Sequence, residues 1–120
     1  MSISVVQYLN ALKEGKVDFE DTMAVISEHY SFTPCSFRNG SGEKMLKNAV
    51  GQNEGSLKIF SFAYLNRLDK EHTLRCFGRF YKDVMDTPDS KDHKNIRAFL
   101  SSGWDGIKFS REALQLKKVI

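Results

Sequence analysis

Residues 38–56 read RNGSGEKMLKNAVGQNEGS and separate two amphipathic regions of the chain. This stretch holds four of the eight glycines and three of the six asparagines. A small domain does not need so many of these residues to build a core, whereas tight turns, close backbone approach and polar sites use them. The stretch therefore indicates where a functional site is to be sought, without naming a reaction.

Length and composition restrict the class of protein. The chain has 120 residues, a net charge of +3 and 41% hydrophobic residues, which are ordinary values for one globular domain, so we predict a single domain over residues 1–120. No apolar run approaches the roughly 20 residues of a membrane span, and the N-terminus lacks the pattern of a signal peptide. Cys35 and Cys76 form neither a disulfide framework nor a metal-binding spacing. The sequence thus predicts a reducing compartment, no membrane partner, no metal and no cofactor.

Two helices are predicted within the first thirty residues. The first carries an apolar stripe and ends at Gly15. Asp18 is typical of the N-cap of the second, with Asp21 near the positive end of its dipole. We expect Thr33-Pro34 to end this helix, because the residue before a proline avoids the α region. Its buried face is predicted to consist of Phe19, Met23, Ile26 and Tyr30.

The middle of the chain predicts a hairpin followed by a loop and an apolar element. Residues 35–38 and 44–47 flank the turn sequence NGSG and are expected to pair. After the 48–56 loop, residues 57–68 are apolar on nearly every side. We interpret them as a buried helix, and a central strand remains an alternative, since periodicity does not separate the two.

The C-terminal half predicts two helices and two strands. Asp69 is expected to cap one helix over residues 70–85, with Gly78 in its middle. The cost of that glycine suggests close approach of another backbone. A second helix is predicted over 92–102, and residues 106–109 and 113–116 alternate as strands do. The predicted fold class is therefore α+β, with four or five helices around a small antiparallel sheet.

Residues 51–56 and the helix that contains Cys76 each suggest a weak site. The 51–56 segment resembles a phosphate loop but has the wrong spacing. Backbone amides at the start of the next helix could still hold an anion, with Ser56 as the N-cap. The alternative, which we favour, is a loop that caps the helix and binds nothing. His72 lies one helical turn before Cys76 and could favour its thiolate. We expect the alternative, a cysteine at the edge of the core, because cysteine is among the most often buried residues.

The segment around His93 carries the most suggestive polar side chains. A half-buried His93 beside the cation of Arg97 would be a neutral imidazole and a candidate general base. Asn95 could orient a ligand, and Arg97 could hold an anion in a forked geometry. The alternative, which we favour, is that His93 and Arg97 hydrogen-bond to the backbone of the 48–56 loop and fix it in place.

Arg75, Arg79 and Lys82 form a basic stripe that could contact phosphates. Glu71 is spaced to pair with Arg75, and Asp83 with Arg79, so we expect a salt-bridged, solvated face. No aromatic side chains are interleaved with these charges, which argues against nucleic acid as a partner.

Several of these strings occur together in one known family. In order along nearly the whole chain, they resemble the HopJ-type family of small bacterial proteins, which takes its name from a type III secretion effector. The strings are FRNG (37–40), NAVGQNEGS (48–56), TLRCFG (73–78), HKNIR (93–97) and GWDGI (103–107). The resemblance implies a bacterial origin and a link to type III secretion, but no reaction.

Two functions follow as hypotheses. The first is a HopJ-like effector that acts by binding a host protein or a small anionic ligand, present in the bacterial cytoplasm and delivered into host cells. The second is a small cytosolic enzyme or metabolite-binding protein whose pocket joins the 48–56 loop to residues 93–97, with Glu54 or His93 as the proton-transfer group. The candidate ligand-binding residues are Asn48, Gln52, Asn53, Ser56, Asn95 and Arg97.

Overall fold

The computed structural model describes residues 3–117. Within that range the chain forms six α-helices, which are α1 (Val5–Lys13), α2 (Phe19–His29), α3 (Glu54–Leu65), α4 (Lys70–Arg75), α5 (Arg79–Asp86) and α6 (Lys94–Ser102). None of these helices is long and apolar enough to cross a membrane.

Five short strands form two separate antiparallel sheets in the described chain. The strands are β1 (Tyr30–Phe32), β2 (Phe37–Asn39), β3 (Leu46–Asn48), β4 (Lys108–Phe109) and β5 (Leu114–Leu116). One sheet pairs β1 with β5, and the other has the order β3-β2-β4. The α+β class is therefore confirmed, although the single predicted sheet is two sheets. The predicted hairpin is the β2–β3 pair, with Phe37 opposite Asn48 and Asn39 opposite Leu46.

The central element of the core is α3, so residues 57–65 are helix rather than strand, and the helix ends before the predicted residue 68. Six of its twelve residues are buried, which explains why the sequence shows no clear polar face. The ring of Phe60 contacts those of Phe37, Phe77 and Phe99, with centroid distances of 6.1, 5.5 and 4.9 Å. Through these contacts α3 joins β2, the segment after α4, and α6.

The predicted helix over 70–85 is wrong as a single element, because it is divided at Gly78. Gly78 has φ +58° and ψ −129°, a conformation outside the helical region, and it serves as the N-cap of α5. A Cβ at this position would lie 2.5 Å from the backbone nitrogen of Phe19 and 2.7 Å from Cα of Asp18. The close approach expected from this glycine is thus present, and it breaks the helix rather than being accommodated by it.

The end of α2 also differs from the prediction. The helix stops at His29, before Thr33-Pro34, because Tyr30 to Phe32 pair with β5. Its start is as predicted, since Asp18 and Asp21 form a reciprocal capping box. The helix over 92–102 begins two residues late, at Lys94, and ends at Gly103, which has φ +61°.

Candidate functional site

A cleft of about 700 Å³ lies between the β3–α3 segment and the start of α6. Three phenylalanines, Phe19, Phe77 and Phe80, form its apolar wall. The polar and charged side chains around it come from two stretches of sequence, and they are Lys47, Asn48, Asn53, Ser56, Lys91, Asp92, His93, Lys94 and Asn95. The two segments that the sequence suggested would form a pocket therefore lie side by side.

Asn95 is the centre of a hydrogen-bond network at the inner side of the cleft. Its Nδ2 donates to Oδ1 of Asn48 at 3.0 Å, and Nδ2 of Asn48 donates to its Oδ1 at 3.2 Å. Asn39 donates from Nδ2 to both the side-chain and the main-chain oxygen of Asn95, at 3.0 and 2.8 Å. All three asparagines are buried. Buried amides held in this way are fixed in orientation before any ligand arrives.

The loop before α3 is closed by its own side chains. Asn53 adopts the left-handed conformation with φ +54°, which asparagine tolerates better than most residues. Its Nδ2 donates to Oδ1 of Asn48 at 2.6 Å. Gln52 accepts from the backbone nitrogen of Ala49 at 3.0 Å, so it spans the turn. The N-cap of α3 is Asn53, and the predicted N-cap at Ser56 is wrong because the helix has already begun at Glu54.

His93 lies at the outer wall of the cleft, at the N-cap of α6, with φ +50°. Its Nε2 is 3.2 Å from Oδ2 of Asp83 and 3.8 Å from Oδ2 of Asp92. The ring also packs on Phe80, with 5.4 Å between centroids. The side chain is half-buried, as expected. The charged groups that it contacts are the carboxylates of Asp83 and Asp92, whereas the sequence predicts the Arg97 cation.

Arg97 holds the turn before α6. Its Nε donates to the main-chain oxygen of Asp92 at 2.6 Å, and its Nη1 donates to that of Thr87 at 2.8 Å. Its Nη2 donates to Oδ1 of Asp92 at 2.7 Å, and this side-chain hydrogen bond lowers the pKa of the Asp92 carboxyl. The predicted contact of Arg97 with the 48–56 loop is not formed among the described hydrogen bonds, and Asn95 holds that loop instead.

The other predicted site residues differ in whether they line the cleft. Ser56 lines the cleft, on the first turn of α3. Glu54 is half-buried and Gln52 is exposed, and neither is among the residues that line the cleft. The proton-transfer roles of Glu54 and His93, and the ligand contacts of Gln52 and Arg97, stay predictions.

Cys76 is a buried cysteine at the edge of the core, as we expect from the sequence, and not a reactive thiolate. The residue is fully buried, and its thiol donates to the main-chain oxygen of His72 at 3.4 Å. Burial raises the pKa of the thiol to about 12, so a thiolate is disfavoured. The imidazole of His72 is directed elsewhere, with Nδ1 2.8 Å from Oδ1 of Asp69.

The basic stripe is paired with carboxylates at all three of its positions, with Lys82 3.9 Å from Oδ2 of Asp86. Arg75 contacts Glu71 at 3.0 Å, as predicted. Arg79 was expected to pair with Asp83, and this is wrong, because it contacts Asp18 and Glu20 of α2 at 2.9 Å each. The break at Gly78 turns Arg79 towards α2, whereas the sequence predicts one continuous helix through this position.

Two parts of the site were missed in the sequence. The sequence predicts Asn39 as a hairpin turn residue, yet it is buried at the end of β2 and donates hydrogen bonds to Asn95. Its inward direction follows from strand alternation, since Phe37 and Asn39 are both buried and Arg38 is exposed. Asp83, ten residues before His93, was assigned to Arg79, and no spacing rule joins it to the next helix.

Comparison with known proteins gives a family and one solved structure. A protein-family model described as HopJ type III effector protein matches residues 5–114. The crystal structure of VPA0580, a protein of unknown function, is 49% identical in sequence with a TM-score of 0.91, and the match covers 98% of this chain and 97% of that one. A comparison with curated proteins gives no match.

Proposed function

This chain belongs to the HopJ type III effector family, and from that premise we propose that it acts by binding, with a small anionic ligand held in the cleft between residues 46–56 and 91–96. The bacterial cytoplasm is the proposed site of synthesis, and delivery into a host cell by type III secretion is part of the same proposal. A host protein would then bind either after the anionic ligand has filled the cleft or in competition with that ligand.

The pairing of Asn48 with Asn95 is the observation that carries the proposal. Both residues line the cleft, both are buried, and each fixes the other through two hydrogen bonds. Ligand sites are commonly apolar clefts of about 300–1,000 Å³ that contain a few polar groups in fixed positions, and this cleft has that composition and size.

The charges around the cleft indicate the sign of the ligand. Three lysines, Lys47, Lys91 and Lys94, line it together with one aspartate, Asp92, whose carboxylate already pairs with Arg97. The excess of positive charge favours an anion, and it raises the local concentration of anions at low ionic strength. The phenylalanine wall favours a ligand that also carries a ring or a short apolar chain.

Phenyl phosphate and benzoate are suitable probes, because each combines a ring with an anionic group. We expect saturable calorimetric binding of at least one of them, and much weaker binding of phenol and benzamide, which carry a ring without the charge. Lys47→Gln and Lys94→Gln should each weaken binding by up to about fivefold, since an exposed ion pair contributes about 0.2–1 kcal/mol. Lys82→Gln is the matched control, since Lys82 lies outside the cleft.

Equal affinity for phenol and phenyl phosphate, or equal loss with Lys82→Gln, would remove the proposed anion site. The delivery part is tested separately with a translocation reporter fused to the chain. A signal that depends on an intact type III apparatus supports effector delivery, and a signal of the same size without the apparatus contradicts it.

A further inference from the structure

Three side chains with metal-binding atoms meet at the outer wall of the cleft. They are Asp83 on α5, Asp92 in the turn before α6, and His93 at the N-cap of α6. One ligand atom from each lies within 4.8 Å of the other two. The shortest distances join Nε2 of His93 to Oδ2 of Asp83, at 3.2 Å, and to Oδ2 of Asp92, at 3.8 Å.

The surrounding contacts orient these atoms towards one another. Oδ1 of Asp92 accepts from Nη2 of Arg97 at 2.7 Å and from Oγ of Ser90 at 3.1 Å, so Oδ2 is the oxygen left to face His93. The imidazole is packed on the ring of Phe80. A carboxylate that is itself hydrogen-bonded, as Asp92 is, is typical of metal ligands in proteins.

We propose that Asp83, Asp92 and His93 bind one divalent transition-metal cation of the Mn²⁺, Co²⁺ or Zn²⁺ type. The donor set is one imidazole nitrogen and two carboxylate oxygens, which suits these metals, whereas Mg²⁺ and Ca²⁺ prefer sites made of oxygen alone. The inference does not depend on the anionic ligand, because none of its three donors is needed to hold that ligand.

Two of the three distances between donor atoms are close to those of a metal complex. Donors bound to one metal at about 2.0–2.2 Å stand roughly 3.0–3.5 Å apart, depending on the coordination angle. The Asp83–His93 distance of 3.2 Å already fits, and the Asp92–His93 distance of 3.8 Å requires a shift of a few tenths of an ångström. Such a shift is available, since both carboxylates are exposed.

The proposed metal site adjoins the cleft. Asp92 and His93 line the cleft as well as the metal cluster, and three protein donors leave at least one coordination position free. Water, or an anion in the cleft, would complete the coordination. This arrangement is that of a metal with an exchangeable ligand rather than of a closed structural site.

Calorimetric titration with Co²⁺, Mn²⁺ and Zn²⁺ tests the proposal, with tag-free protein so that no polyhistidine contributes and with no phosphate present. We expect one metal per chain, and with Co²⁺ visible absorption bands that saturate at the same stoichiometry. His93→Ala and Asp83→Asn should each weaken binding about tenfold or more. Asp83→Asn is the cleaner variant, because Asp83 is exposed and does not hold the turn as Asp92 does.

The chain offers two matched controls. His72 is also half-buried and also contacts one carboxylate, that of Asp69 at 2.8 Å, but no second one joins it among the described residues. Asp89 is an exposed carboxylate in the same turn as Asp92 but outside the cluster. His72→Ala and Asp89→Asn should bind metal like the parent chain. Absence of saturable binding, or equal loss in these controls, would overturn the proposal, provided that circular dichroism shows all variants folded.

Discussion

The side-chain amides of Asn48 and Asn95 form a reciprocal pair, with hydrogen bonds of 3.0 and 3.2 Å, between the end of β3 and the first turn of α6. Asn39 joins the pair from β2, and Asn53 joins it from the loop before α3. Two segments nearly fifty residues apart in sequence are thus joined by hydrogen bonds between side-chain amides.

The first prediction concerns the network itself. Asn95→Ala should lower the free energy of unfolding by about 2–4 kcal/mol, because it leaves the buried Nδ2 of Asn48 without its acceptor and removes one of the two acceptors of Asn39 Nδ2. Urea denaturation measures this change. Gln52→Ala is the control, since Gln52 is exposed and should change stability by about 0.5 kcal/mol or less. Equal stability of the two variants would show that the network does not stabilise the fold.

The second prediction concerns the break between α4 and α5. Gly78→Ala should destabilise the chain by about 3 kcal/mol or more, since the added Cβ would clash with the backbone of Asp18 and Phe19. Gly15→Ala has a similar positive φ of +73° but meets nothing within 4 Å, so it should cost only about 1–2 kcal/mol. Thermal melts of both variants compare the steric and conformational costs directly. Similar melting temperatures would contradict the close approach at Gly78.

The third prediction is a pH dependence at Asp18. The pKa of this carboxyl is lowered, first by the backbone N–H of Arg79 and then by that of Phe19, with the Arg79 guanidinium adding to them. Because the folded-state pKa lies below the unfolded value of 3.8, the stabilisation is present above pH 3.8 and is lost as the pH falls through the folded value. Acid titration should therefore show a smaller loss of stability in Asp18→Asn than in the parent chain.

The control for this titration is Asp105→Asn, since Asp105 is exposed and has no partner among the described ion pairs and hydrogen bonds. Its acid titration should match that of the parent chain. If Asp18→Asn also matches the parent between pH 4 and pH 2, the contact between Asp18 and Arg79 does not act on stability as described.

The fourth prediction is that Cys76 is inert in the folded protein. A thiol pKa of about 12 instead of 9.0 reduces the thiolate fraction at pH 8 about a thousandfold, and burial blocks the reagent as well. Iodoacetamide labelling followed by mass spectrometry should find Cys76 unmodified in native protein and modified in urea. Stoichiometric native labelling would contradict the burial of Cys76.

The sequence predicted most helices because their ends carry local signals. Asp18 caps α2 through hydrogen bonds to residues within the next turn, and Gly15 and Gly103 follow the helices that they end. Such local signals can be recognised in the sequence. The division at Gly78 could not be predicted, since its cause is the backbone of Asp18 and Phe19, sixty residues earlier. The separation into two sheets likewise depends on β5 pairing with β1 across most of the chain.

The site was predictable in outline only. The clustering of asparagines and glycines indicated that the 48–56 loop belongs to a site. The polar string HKNIR at 93–97 indicated the segment that lies beside it. Which residue joins the two was not predictable, because Asn95 and Arg97 can both donate hydrogen bonds and the sequence does not show the direction that each takes from α6. That direction is set by the Thr87–Asp92 turn, which offers Arg97 its acceptors.

The most direct test of the cleft is a titration of ¹⁵N-labelled, metal-free protein with phenyl phosphate, followed by amide NMR signals. We predict saturable shifts of the backbone amides of residues 46–56 and 91–96, together with the side-chain amides of Asn48, Asn53 and Asn95. Shifts confined to a different surface, such as the groove at Tyr64 and Trp104, or no saturable shifts at all, would contradict the proposed binding site.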